Sequence, residues 1–423
     1  MKDLLIKNAV VISPADNINE KTDILIKNGI IAEVGKDIFC DVQTIDVEGL
    51  CAIPGLVDMH VHLRDPGQTQ KEDIISGCRA AAAGGVTSLL AMPNTVPTTD
   101  NADTVRYILD KAESADARVY VAASITKGLK SEEPTDLEEL ENAGAAALSD
   151  DGRPVENTRF LSDAMKKAPE LGLKVVAHCE DLFLAGGGKI NEGEVAEKLG
   201  IKGIPKAAED CGTAREIALA AALEVPVHIC HVSTATSTAL IRDAKKRGVR
   251  VTAETAPHYF SLTEKELLRG DADYRMNPPL RTQNDVEAII KGLQDGTIDA
   301  VATDHAPHTP EEKADFVNAP NGSVGMETSF SVGFTYLVKT GFLNLEQLIE
   351  KMSVNPAKIL GINAGRLCKG APADIALVDL DERWTVDENK LHGKSKNTPF
   401  KGKTLIGKIK KTILGGRVVF EDL

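Results

Sequence analysis

The apolar positions of the chain follow two regimes. Through the middle, short apolar runs stand at 55–62 (GLVDMHVH), 86–92 (VTSLLAM), 118–125 (RVYVAASI), 144–149 (GAAALS), 173–178 (LKVVAH), 225–232 (VPVHICHV), 249–254 (VRVTAE) and 298–304 (IDAVATD). They are β-branched or Ala-rich and bounded by Gly, Pro and polar turns, as strands buried on both faces are. Between them lie EDIISGCRAAAAG, NADTVRYILDKAES, TRFLSDAMKKAPELG, AREIALAAALE, TSTALIRDAKKRG and DVEAIIKGLQDG, whose apolar residues recur three and four apart with charges between. Eight strands alternating with helices predict an α/β fold, a (β/α)8 TIM-type barrel with its active site at the C-terminal strand ends. The two ends of the chain differ. Residues 3–13, 23–34 and 42–53 alternate apolar and polar positions around Asn-Gly and Glu-Gly turns, and 373–380 and 404–420 do the same, including the hairpin-like TILGGRVVF. The pattern therefore predicts a barrel over 54–364 and a small β-sandwich made of 1–53 plus 365–423. The Gly-rich AGGGK at 185–189 precedes no phosphate-binding pattern and reads as a loop.

Composition narrows the partners. In 423 residues, 42% are hydrophobic and 26% charged, enough for a full core and too apolar for a disordered chain. Lys and Arg number 49 against 63 Asp and Glu, a formal charge of −14, which argues against nucleic acid as a partner. No apolar run reaches bilayer length, and MKDLLIKNAVVIS has no signal-peptide cleavage pattern, so the expectation is a cytoplasmic protein away from membranes. The seven cysteines are scattered without a CxxC pair, which fits neither a disulfide framework nor a thiolate zinc site.

The chemistry collects in PGLVDMHVHLRDPG, residues 54–67. His60 and His62 are two apart, so on a strand both imidazoles face one side. Alone this is weak, but other metal-ligand types end other strands: His178 the fifth, His231 the sixth, Asp304 the eighth, and the pair Asp150–Asp151 the fourth. Imidazole and carboxylate without thiolate suit Zn2+, with Mn2+, Co2+ or Fe2+ as alternatives. Six ligands exceed one tetrahedral zinc, which points to a two-metal hydrolytic site with a shared carboxylate. Only one of Asp150 and Asp151 can face inward, and strand geometry does not choose between them. Alternation turns Cys179, Cys230 and His228 to the opposite face, and His258 fits packing better than the site rim. His305 points away from Asp304, as a support at most, and His392 lies on the surface.

The motifs PGLVDMHVHLRDPG, AMPNTVPTTDN, SDDG, VVAHCED, INEGEVAEKLGIKGIP, CHVST, MNPPLR and ATDHAPH, with NTPFKGK near the end, together resemble the dihydroorotases, most closely the bacterial class I branch within the amidohydrolase superfamily. The resemblance spans nearly the whole chain. It implies two zinc ions per subunit, His60, His62 and Asp304 on one and His178 and His231 on the other, bridged by Asp151 and a hydroxide. Hydantoinases, allantoinases and other dihydroorotase classes bridge with a carboxylated lysine at the fourth strand; GAAALSDDG has none. The activity implied is reversible hydrolysis of (S)-dihydroorotate to N-carbamoyl-L-aspartate, with Asp304 as general base and then general acid.

For the substrate, the resemblance implies His62, Arg64, Asn94 and His308 around the carboxylate, and Asn277, Asn321 and Gly322 at the ring. Each also has a plainer role: Arg64 in an ion pair with Asp65, Asn94 and Asn277 as turn formers beside proline, His308 as a solvated loop residue. The loop 305–327 is long and rich in Pro, Gly and charge. Class I relatives often carry an aromatic before its glycine; this chain has Asn321, so the expected contact there runs through the main chain, without the apolar packing an aromatic would supply. Among partners the resemblance points to a homodimer and to aspartate carbamoyltransferase. The alternatives are a hydantoinase or allantoinase of the same superfamily, or a silent scaffold for aspartate carbamoyltransferase. Silent relatives usually lose ligands, whereas all six positions stand here.

Overall fold

The computed structural model describes residues 3–422. All eight expected strands form one parallel sheet in sequence order: Leu56–Val61, Val86–Ala91, Arg118–Ala123, Ala147–Leu148, Lys174–Ala177, Val227–Ile229, Val251–Thr255 and Ala300–Val301. The last and first strands meet through a Val61–His305 bridge and a hydrogen bond from His62 N to His305 O of 2.8 Å. Buried Asp58 reinforces that seam by accepting from Thr303 N at 3.0 Å and Thr303 Oγ1 at 2.6 Å.

The two faces of each strand separate cleanly. Val57, Met59, Leu90, Met92, Ala122, Ala147, Val176, Ala300 and Ala302 fill the barrel interior, whereas Leu56, Leu89, Val121, Leu148, Val175, Ile229 and Val301 pack outward against the helices. A filled interior leaves the strand ends as the place where a cavity opens. Helix starts carry capping residues: Asp73 and Ser76 form a capping box on Ile74–Ala83, Asn101 caps Ala102–Ala112, and Thr234 caps Ala235–Lys246. Lys206–Leu223 begins well before the expected AREIALAAALE. Its first turns carry buried Glu209, Gly212 and Thr213, polar or small residues that break the apolar period but fit a close backbone approach.

The terminal segments pair together as the alternation predicts. Their ladders form one continuous eight-stranded sheet, ordered Arg417–Glu421, Thr404–Leu414, Ile375–Thr385, Cys51–Pro54, Leu4–Ser13, Ile18–Lys27, Ile30–Gly35, with Gln43–Asp46 also on Leu4–Ser13. Continuity has a local cause. Leu4–Ser13 bulges between Ile6 and Ala9, with Asn8 at φ 65°, so its edge pairs first with Gln43–Asp46 and then with Cys51–Pro54. Among the described residues, no helix is long and apolar enough to cross a membrane.

Candidate active site

At the C-terminal strand ends a cavity of about 280 Å³ is lined by His62, Arg64, Asn94, Asp151, Gly152, His178, His231, Asn277, Asp304, Ala306, His308, Asn321 and Gly322. Local backbone geometry aims several of these side chains. Arg64, His231 and Asp304 adopt φ of 60°, 34° and 49°, left-handed conformations that turn side chains off the strand alternation. Such strain is stored only where surrounding contacts over-determine it, at about 1–3 kcal/mol each.

The groups expected from sequence to ligate metal converge. His60, His62 and Asp151 form one set, and Asp151, His178 and His231 a second, with the donor atoms of each set within 4.8 Å of one another. Asp151 belongs to both. Its Oδ1 lies 3.2 Å from His60 Nε2, 3.5 Å from His178 Nδ1 and 3.6 Å from His231 Nε2, and its Oδ2 lies 3.5 Å from His62 Nε2. Asp304 Oδ1 joins the first set at 3.1 Å from His62 Nε2 and 3.7 Å from His60 Nε2. Among the described residues, buried His60 Nε2 and Asp151 Oδ1 have no hydrogen-bond partner, which fits donors reserved for a cation. Four imidazoles and two carboxylates can therefore hold metal. Asp150 faces away and accepts from Ile125 N at 2.6 Å and Thr126 N at 3.2 Å.

Other groups orient the ligands. Asn94 Oδ1 lies 2.8 Å from His62 Nδ1, which leaves Nε2 free for metal. Glu254 Oε1 lies 3.3 Å from His60 Nδ1, and its Oε2 lies 3.2 Å from His228 Nε2. Glu180 Oε2 lies 3.2 Å from His178 Nε2 and accepts from Asn277 Nδ2 at 3.1 Å. Burial opposes ionisation of Asp304, but the hydrogen bond to His62 and the His60, His62 and His231 charges hold it at about 2, so it stays a carboxylate.

Beside this cluster the cavity becomes cationic. The buried Arg64 guanidinium donates from Nε to Pro307 O at 3.2 Å and stands 3.4 Å from His308 Nε2. Burial brings its pKa down to about 10, still fully charged. Burial and the Arg64 and Lys313 charges push His308 down, against the pull of Glu312. The roof is the 305–327 loop, with a short helix at Pro310–Lys313. Lys313 Nζ ties it to Ala272 O, Arg275 O and Pro320 O at 3.0, 3.3 and 2.9 Å. Asn397 holds both flanks, accepting from His308 N at 3.1 Å and donating to Gly322 O at 3.1 Å.

Residues 51–419 match the family model described as Amidohydrolase family. The chain belongs to the amidohydrolase family. A dihydroorotase of Geobacter metallireducens is 50% identical over 423 residues, 99% of this chain and 100% of its own. Another, of Acetivibrio thermocellus, is 50% identical over 422 residues, 99% of each chain. Among solved structures, the L-hydantoinase (dihydropyrimidinase) of Arthrobacter aurescens matches with TM-score 0.88 at 27% identity, covering 100% of this chain and 96% of its own. The dihydropyrimidinase of Brevibacillus agri matches with TM-score 0.87 at 26% identity, over 99% and 95%.

In this amidohydrolase every residue expected at the site from sequence lies in or against one cavity. Arg64 is not paired with Asp65, which takes Lys111 at 2.6 Å and Tyr107 at 3.0 Å. Asn321 turns its side chain outward to Arg275, 3.2 Å from Nη2, and leaves its carbonyl 2.9 Å from His308 Nε2. Two expectations fail. His228 and Cys230 do not face outward: Cys230 packs in the barrel interior near His60 and Glu254, and His228 reaches Glu254 from below. The left-handed turn at His231 lets it face the cavity although Cys230, its neighbour, also faces inward, so counting back from His231 inverts the strand. Cys179 does face the helices. His305 accepts from Gly325 N at 3.2 Å and steadies the loop, and His392 sits half-exposed on Glu327 at 2.8 Å. His258 is buried, brought down to about 4 by burial, and packs edge-on against Tyr259. Sequence reading missed Glu180, Glu254 and Asn397. Glu180 had a signal, since it follows His178 by two.

Proposed function

We propose that this amidohydrolase is a dihydroorotase, hydrolysing (S)-dihydroorotate reversibly to N-carbamoyl-L-aspartate in pyrimidine biosynthesis. One observation carries the reading: a carboxylate, Asp151, is shared by two histidine sets in a cavity whose far wall is the buried Arg64–His308 pair. The shared group supports a hydrolase with two metals, and the cationic wall suits a substrate bearing its own carboxylate. Full-length relatives at 50% identity that are dihydroorotases favour this substrate over hydantoin or allantoin.

The donor set suits two zinc ions, which His60, His62, Asp304, His178, His231 and the shared Asp151 would hold. When bound, such a pair supplies Lewis acidity that activates water and polarises the scissile carbonyl. Asp304, kept ionised, accepts the proton of the attacking water and returns it to the departing ring nitrogen. Arg64 takes the substrate carboxylate in a fork, with Asn94 and His308 beside it. Asn277 and the main chain at Asn321 and Gly322 meet the ring. The −14 charge repels anionic substrates at long range, so Arg64 and the metal charge supply the local attraction. The reading extends to a cytoplasmic homodimer that associates with aspartate carbamoyltransferase, tested by gel filtration alone and mixed with that enzyme.

The deciding assay gives purified protein dihydroorotate, hydantoin and allantoin in turn, with metal analysis of the same sample. Turnover confined to dihydroorotate supports the proposal. Zinc-loaded protein that leaves dihydroorotate intact overturns it.

A further inference from the structure

Glu180 touches two functional groups while standing outside the cavity wall. Its side chain is only 11% exposed, and one oxygen, Oε2, faces both His178 Nε2 at 3.2 Å and Asn277 Nδ2 at 3.1 Å. The backbone that carries it is braced. A Cβ on Gly212 would lie 2.7 Å from Cys179 C and Glu180 N, so the Lys206–Leu223 helix seats directly on this turn.

A carboxylate only accepts hydrogen bonds, and this decides two orientations. The Asn277 amide must present its NH2 to Glu180, which leaves Oδ1 on the other side. Among the described residues that Oδ1 is buried without a partner, on a residue that lines the cavity. The His178 ring must present Nε2–H to Glu180, which leaves the Nδ1 lone pair towards Asp151 and His231, at 3.5 and 2.9 Å. The geometry points to Glu180 as a positioning residue that sets a metal ligand and a substrate-reading amide with one carboxylate, so that Asn277 reads the substrate as an acceptor, from a ring N–H. The substrate half of this inference rests on the dihydroorotase reading; the metal half does not.

The test uses Glu180→Ala and the isosteric Glu180→Gln, each alone and combined with Asn277→Ala. Metal-stripped protein is titrated with Zn2+ against a chromophoric chelator, and the KM for dihydroorotate is measured on the reloaded enzyme. Glu180→Ala is expected to weaken zinc binding about 10- to 100-fold, the usual consequence of losing a carboxylate behind a ligand histidine. The same loss is expected in the Asn277→Ala background, because it runs through His178. KM should rise about tenfold in Glu180→Ala, as for one lost charge-assisted hydrogen bond, but scarcely at all once Asn277 is already Ala. Glu180→Gln, which keeps shape and an acceptor oxygen, should fall between wild type and Glu180→Ala on both readouts. Zinc affinity unchanged in both Glu180 variants overturns the metal half. Equal KM effects with and without Asn277 overturn the substrate half. If wild type does not turn over dihydroorotate, the functional reading fails, and the zinc titration still decides the role of Glu180 towards His178.

Discussion

Gly322→Ala tests whether the 305–327 loop must lie closed over the cavity. Gly322 holds φ 138°, and a Cβ there would meet Ala306 Cβ at 2.7 Å, Ala306 O at 2.9 Å and His308 Nε2 at 3.0 Å. None of these can step aside cheaply. Ala306 donates from its N to Ser323 O at 2.8 Å, and His308 is held by Glu312 and the Asn321 carbonyl. A residue with a side chain at this φ costs about 1–3 kcal/mol, and overpacking adds about 1–3 kcal/mol more. The cheapest relief is for the stretch between His305, bridged to Val61, and the core-packed Met326 to lift off the cavity. At about 3 kcal/mol in total, the closed population falls about 100-fold. The expected result is a fall in kcat/KM for dihydroorotate of about that size, with metal content unchanged and a thermal midpoint within about 2 °C of wild type. Gly248→Ala is the control: φ there is 81° but nothing lies within 4 Å, so it reports backbone strain alone in a distant turn. A Gly322→Ala enzyme whose kcat/KM stays within about threefold of wild type would refute the closed-loop reasoning.

Asp304→Asn should retain most of its bound zinc while kcat falls about 10²- to 10⁴-fold, checked by metal analysis beside steady-state rates; undiminished kcat would remove Asp304 from the proton path. Arg64→Ala should raise KM for dihydroorotate more than it alters metal content, and parallel loss of both would assign Arg64 a structural role. Dialysis against a chelator should abolish hydrolysis, and added zinc should restore it. Asp73 lies N-terminal to the Ile74–Ala83 helix and accepts from Ser76 N at 2.8 Å. Burial would raise its pKa, but Lys394 and the Ser76 hydrogen bonds outweigh that and hold it at about 2. A carboxylate depressed in the folded state contributes stability above its ordinary value of about 4, which is lost as pH falls towards 2. At this half-exposed site the charge contributes about 1 kcal/mol after solvent screening. Urea midpoints of Asp73→Ala and wild type should differ most near pH 7 and converge only as the pH falls to about 2.

The strands were legible because a sheet buried on both faces imposes unbroken apolar runs, and all eight appear where those runs stand. That the six candidate metal ligands come together was legible for a related reason. Each ends a barrel strand, and the barrel brings strand ends together regardless of what lies between them. The failure at His228 and Cys230 marks where this logic stops. Alternation holds only while φ and ψ stay extended, and His231 at φ 34° leaves that region without any Gly or Pro to announce it.

From the residues themselves came the fold class, the convergence of histidines and carboxylates, and the absence of lysine at the fourth strand end. Tertiary structure decided between Asp150 and Asp151, because only packing against Ile125 and Thr126 shows which carboxylate is already occupied. It also revealed the groups that act through others: Glu180 behind His178, Glu254 behind His60 and Asn397 under the loop. Their partners lie from two to 194 residues away in the chain. A local pattern encodes which face a side chain takes, whereas a hydrogen bond between distant segments exists only once the chain has folded.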